Sequence, residues 1–85
     1  MSYTYEFSDD FLYAFQKVKK KDRILATRIQ KKIDEIISNP EHFKPLQHVL
    51  KGKRRAHVGS FVILYEFKNN VVLFIKCEHH DNVYL

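Results

Sequence analysis

Two apolar runs, FVILYEF at 61–67 and VVLFIKC at 71–77, lie on either side of the dipeptide Asn69-Asn70. Each run is apolar at successive positions rather than at alternate ones. That pattern predicts strands covered on both faces, in the middle of a sheet. Asparagine tolerates positive φ, so Asn69-Asn70 predicts a tight hairpin turn between them. Neither run approaches the roughly 20 apolar residues of a membrane-spanning helix. The central hairpin therefore constrains everything else that the 85 residues can build.

Upstream of it the pattern is helical. YTYEF at 3–7 is β-branched and aromatic and suits a short strand. Ser8 stands where an N-cap belongs, with Asp9 and Asp10 in the first turn. Phe11, Leu12, Phe15 and Val18 follow at helical spacing, and the run Lys19 to Lys21 marks the helix end. Asp22 predicts the cap of a second helix, whose stripe is Leu25, Ile29, Ile33, Ile36 and Ile37. Asn39-Pro40 closes it, because the residue before proline avoids the α region. The segment 41–52 contains both a proline and a glycine and reads as a loop. Residues 54–58 alternate as a strand, and the chain turns at His79-His80 before a short terminal strand, NVYL. The order β-α-α-β-β-β predicts one α+β domain over residues 1–85: a twisted, mainly antiparallel sheet with both N-terminal helices on one face. Two helices cover only one face of such a sheet, so the other is left to solvent or to a ligand.

Charge indicates which ligand. Lys and Arg number 15 against 10 Asp and Glu, a net charge of +5. A small basic domain suits an anionic partner, although a soluble protein that is merely basic has the same balance. The local bias is stronger. From Lys44 to Tyr65 there is no acidic residue, while Lys44, His48, Lys51, Lys53, Arg54, Arg55 and His57 all fall there. Strand alternation puts Lys53, Arg55 and His57 on one face and Arg54, Ala56 and Val58 on the other. Ala56 and Val58 belong under the helices. Lys53, Arg55 and His57 then line the uncovered face, and Arg54 lies near the rim with its stem on apolar surface. The plainer alternative is a solvated polar strand face. A second basic set, Lys17, Lys19, Lys20, Lys21, Arg23, Arg28, Lys31 and Lys32, is offset by Asp9, Asp10, Asp22, Asp34 and Glu35. It reads as a solvated helix face, or as contact with a large polyanion such as ribosomal RNA.

The single cysteine, Cys77, lies in an apolar run and reads as a small core residue; it excludes an internal disulfide. The N-terminus lacks signal-peptide character, and a soluble cytoplasmic protein is expected. Histidines 48, 57, 79 and 80 are many for this length. No HxH or HxxxH spacing occurs, and adjacent His79 and His80 should diverge on a strand, so no metal or other cofactor is expected. Proton transfer is the better use of imidazoles that titrate near neutrality.

The segments PLQHVLKGKRRAHVGSFVILYEF at 45–67 and EHHDNVY at 78–84 resemble the RelE/ParE superfamily of toxins from toxin–antitoxin modules. As in that family, a Leu-x-Gly segment (Leu50-Lys51-Gly52) leads into a basic strand, then into a strand with a tyrosine near its middle, and the chain ends in histidine and an aromatic. The two-helix N-terminal half fits as well. The resemblance implies a metal-independent endoribonuclease that cleaves mRNA, commonly on the ribosome, by attack of the RNA's own 2′-hydroxyl. Such a reaction needs a base, an acid and cations around the phosphate. Likeness to the histidine-using YafQ branch implies His57 and His80 as acid and base in either order, with His48 as a third candidate. It implies Tyr84 as the C-terminal aromatic that stacks on or hydrogen-bonds the target nucleotide. Arg55 and Arg54, with Lys53, would hold the phosphate, and Lys44 and Lys51 would bind RNA. The chain departs from the family in two places. Residues 61–65 contain no arginine, and Gly59-Ser60 replaces an acid of the YafQ pattern. The implied partners are a RelB-like antitoxin, mRNA and the ribosome. The alternatives are a ParE-like inhibitor of DNA gyrase and a non-catalytic RNA- or ribosome-binding homologue.

Overall fold

The computed structural model describes residues 3–47 and 51–82. Seven elements follow in order: β1 (Thr4–Phe7), α1 (Asp9–Lys21), α2 (Arg23–Ser38), β2 (Lys44–Pro45), β3 (Lys53–Val58), β4 (Phe61–Lys68) and β5 (Val71–His79). The caps are where the sequence places them. Ser8 Oγ accepts from Phe11 N–H at 3.0 Å and donates to the Ile75 carbonyl at 2.6 Å, so one hydroxyl both starts α1 and ties it to β5. Asp22 serves two helices. Its N–H donates to the Val18 carbonyl at 2.8 Å, closing α1, and its carboxylate accepts from Leu25 N–H at 3.0 Å, opening α2. A single residue therefore separates the helices, and α1 runs through all three lysines to Lys21.

The sheet order is β1-β5-β4-β3-β2, with β1 parallel to β5 and the remaining pairs antiparallel. This is the α+β arrangement expected. Asn69 and Asn70 take φ of 53° and 65°, as the two-residue hairpin between β4 and β5 requires. Phe11, Phe15, Val18, Ile29, Ile33 and Ile36 pack on Ala56, Val58, Ile63, Tyr65, Val72, Phe74 and Cys77. Phe74 and Cys77 are three residues apart, yet both face the helices. A regular strand forbids this; a register shift between Leu64 and Tyr65 allows it, because Tyr65 pairs with Phe74 while Leu64 pairs with Lys76. The Tyr65 hydroxyl is buried and donates to the Pro40 carbonyl, fixing the chain just after α2.

Three differences from the sequence reading appear. The segment 41–52 is not all loop: β2 pairs with β3, and Leu46 N–H donates to the Lys53 carbonyl at 2.9 Å. The face away from the helices is consequently not bare. Val62 and Leu64 are buried there in a small cluster with Leu46 and Ile75. Third, β5 extends to His79. The expected terminal strand falls largely outside the described residues. None of the described helices is long and apolar enough to cross a membrane.

Tyr65→Phe should destabilise the fold by about 1–3 kcal/mol, because it leaves the Pro40 carbonyl without its partner; urea unfolding measures this. Burial raises Tyr65 from 10.0 to about 12 and Cys77 from 9.0 to about 12. The folded state thus prefers both groups neutral. Their contribution is complete below about pH 9 and is lost as pH rises toward 12, so the urea midpoint should fall over that range, and less steeply in Tyr65→Phe.

Candidate functional site

Strand β3 sorts its side chains by alternation. Ala56 and Val58 join the helix-side core, which leaves Lys53, Arg55 and His57 on the opposite face. Pairing places each in a row across the sheet. Lys53 stands opposite Glu66, Arg55 opposite Leu64, and His57 opposite Val62. Lys44 of β2 is paired with Arg55 and shares its face. Four basic or imidazole side chains thus flank the apolar floor of Val62, Leu64, Leu46 and Ile75. They are not equivalent. Lys53 Nζ lies 3.7 Å from Glu66 Oε2, a half-exposed pair that offsets part of its charge. Arg55 is half-buried, His57 and Lys44 are exposed, and Lys51 is exposed in the turn before β3.

Arg54 lies apart from this stripe. It faces the helix side, where its Nη1 donates to the carbonyls of Phe43 at 2.8 Å and Glu41 at 3.2 Å. The cation expected to hold phosphate instead secures the loop between α2 and β2. Alternation puts Arg54 on the side of these loop carbonyls, within reach of both. His48 and Tyr84 lie outside the described residues.

His80 is exposed, one residue beyond β5, and its N–H donates to the Ser60 carbonyl at 2.8 Å in the β3–β4 turn. The register separates it from His57 by two strands and two residues, roughly 12 Å between backbones. The two histidines occupy the same end of the sheet, His57 on the uncovered face and His80 at the rim. They do not form one contact.

Two features were not read from the sequence. A Cβ built on Gly59 would stand 3.5 Å from Arg28 Nη1, so the Arg28 guanidinium rests against the same turn that holds His80. In the sequence Arg28 reads as part of a solvated helix face or of a contact with a large polyanion, not as a neighbour of this turn. His79 and His80, expected to diverge, instead have ring centroids 4.5 Å apart. Asp81 lies between them, with Oδ2 3.4 Å from His79 Nδ1 and Oδ1 2.9 Å from His80 Nδ1. The chain leaves the strand at this point, and with it the alternation that would have parted the rings. Among the described residues, these three side chains are the group able to offer ligand atoms to one ion. Cys77 is buried with its thiol pushed up to about 12, which makes it a core residue and not a nucleophile.

Known proteins share this fold. A Methanocaldococcus jannaschii protein that carries the toxin name RelE4 is 40% identical over 72 residues, covering 81% of this chain and 77% of its own. The toxin–antitoxin complex RelBE2 of Mycobacterium tuberculosis includes a chain superposing with TM-score 0.78 at 24% identity, over 94% of this chain and 100% of that one. YafQ of Escherichia coli superposes with TM-score 0.79 at 20% identity, over 98% and 99%. Residues 5–84 match the family described as the ParE toxin of the type II toxin–antitoxin system parDE. The chain belongs to that family, and so to the RelE/ParE toxins of type II toxin–antitoxin systems.

Proposed function

We propose that this toxin is a metal-independent endoribonuclease that cleaves mRNA on the ribosome. The observation that carries the reading is the shared face of Lys44, Lys53, Arg55 and His57, with His80 at the end of the same sheet. The RNA backbone lies along β3, its phosphates near Arg55 and Lys44 and a base over the floor of Val62 and Leu64. One imidazole takes the proton of the ribose 2′-hydroxyl. The freed oxygen forms a bond to the adjacent phosphorus, and the bond from phosphorus to the 5′-oxygen breaks. The other imidazole gives that leaving oxygen a proton, so the products are a 2′,3′-cyclic phosphate and a 5′-hydroxyl. Arg55 and Lys44 offset the charge that accumulates on the phosphorane oxygens. Each proton-transfer group is worth about 10²–10⁴ in rate. His48 and Tyr84 complete the candidate set on family resemblance.

An antitoxin of RelB type is the second partner. The M. tuberculosis relative was solved in complex with one, and the +5 charge here suits a segment with acidic and apolar side chains.

Replacing His57 and His80 together by alanine should abolish growth arrest and RNA cleavage while leaving circular dichroism and melting unchanged, since both side chains are exposed. A double variant that still arrests growth would refute the assignment. The family's ParE name favours a second reading, inhibition of DNA gyrase. Primer extension after induction separates the two: discrete cuts in mRNA support cleavage, whereas accumulated DNA breaks without RNA cuts support the gyrase reading. The two arginines of β3 should also part. Arg54→Ala should cost about 1–3 kcal/mol of stability in urea unfolding, from its lost carbonyl bonds. Arg55→Ala should instead weaken RNA binding and lower the slope of log K against log salt by about 1.

A further inference from the structure

At the end of β5 three consecutive side chains, His79, His80 and Asp81, each carry a metal-ligating atom. In a continuing strand the histidines would point to opposite faces. Here Asn82 N–H donates to the His79 carbonyl at 2.9 Å and closes a turn. The turn brings one ligand atom of each side chain within 4.8 Å of the other two. The nitrogen-to-carboxylate distances are 3.4 Å from His79 Nδ1 and 2.9 Å from His80 Nδ1. Ligands held about 2.0–2.2 Å from a tetrahedral zinc ion stand about 3.4 Å apart, so the cluster needs little rearrangement to close on one. His79 Nδ1 accepts a long hydrogen bond from Asp81 N–H at 3.3 Å, which an ion bound at that nitrogen would displace. All three side chains are open to solvent, which gives an ion its path in.

We propose that His79, His80 and Asp81 bind a divalent transition-metal ion of the zinc class. Two imidazoles and a carboxylate suit zinc, copper or nickel, and do not suit magnesium or calcium, which take oxygen donors. Three protein ligands leave a position for water or a phosphate oxygen. The ion is an inhibitor rather than a catalyst: an imidazole whose lone pair is held by a metal has none left to take up a proton, so metal withdraws His80 from proton transfer. This consequence rests on the nuclease reading; the binding does not.

Isothermal titration of the untagged full chain with zinc tests the site. The wild type should take up one equivalent at micromolar affinity. His79→Gln and Asp81→Asn should each weaken uptake by more than the roughly 10- to 100-fold that loss of an outer-shell partner costs. His42→Gln, in a separate loop, should leave uptake unchanged. Absence of uptake, or equal affinity in His79→Gln and Asp81→Asn proteins that melt like the wild type, overturns the proposal. If a variant fails to fold, cobalt added to the wild type decides instead: visible absorption of a tetrahedral nitrogen–oxygen site supports it, and its absence sinks it. Zinc should slow RNA cleavage by the wild type and have little hold on His79→Gln. Uptake of zinc by a protein that cleaves no RNA under any condition would refute the nuclease reading and leave the metal site standing.

Discussion

The β4–β5 hairpin is apolar on both faces, and a two-faced apolar hairpin must be covered from both sides. The helices supply one cover, with Phe11, Ile29, Ile33 and Ile36 fully or almost fully buried against it. On the other side Val62 and Leu64 have no helix, and Leu46 comes across from the end of β2 to meet them. Removing apolar area from water is the dominant favourable contribution to folding, so both covers are needed. The middle strands carry few cations, Lys68 at the end of β4 and Lys76 in β5. The others collect on β3 and β2, at the flank of the apolar floor.

Within β3 a difference of one position changes a residue's role entirely. Arg54 and Arg55 are chemically identical neighbours in one basic run. Arg54 is turned toward the helix side and finds the carbonyls of Glu41 and Phe43. Arg55 is turned away, opposite Leu64 and Lys44. A basic stretch in a strand is therefore divided between the two faces of the sheet, and strand alternation assigns the members. In β5 the bulge does similar sorting: it keeps Phe74 and Cys77 on one face across an odd interval.

The far end of the sheet gathers chemistry that regular structure would have dispersed. His57 precedes the β3–β4 turn, Arg28 rests against it, and His80 bonds to its Ser60 carbonyl. Strand ends are suited to this, because alternation stops there and side chains from both faces can meet. His79 and His80 meet for that reason, with Asp81 between them.

Much of this was legible in the sequence. The two uninterrupted apolar runs and Asn69-Asn70 determined the central hairpin, Ser8 and Asp22 determined the helix starts, and the isoleucine stripe determined which face of α2 is buried. The alternation of 53–58 determined that Lys53, Arg55 and His57 share a face. These are local properties, fixed by periods of two and 3.6 residues and by individual capping side chains. What the sequence could not determine depended on contacts between distant segments. Only the tertiary structure decided that Arg54 serves a loop, that Leu46 packs against Val62 and Leu64 on the supposedly open face, and that Arg28 reaches the β3–β4 turn. The convergence of His79 and His80 required knowing where β5 ends, which β4 sets by pairing and no residue of β5 sets alone. Periodicity along a chain is read directly, whereas partners across space exist only once the chain has folded.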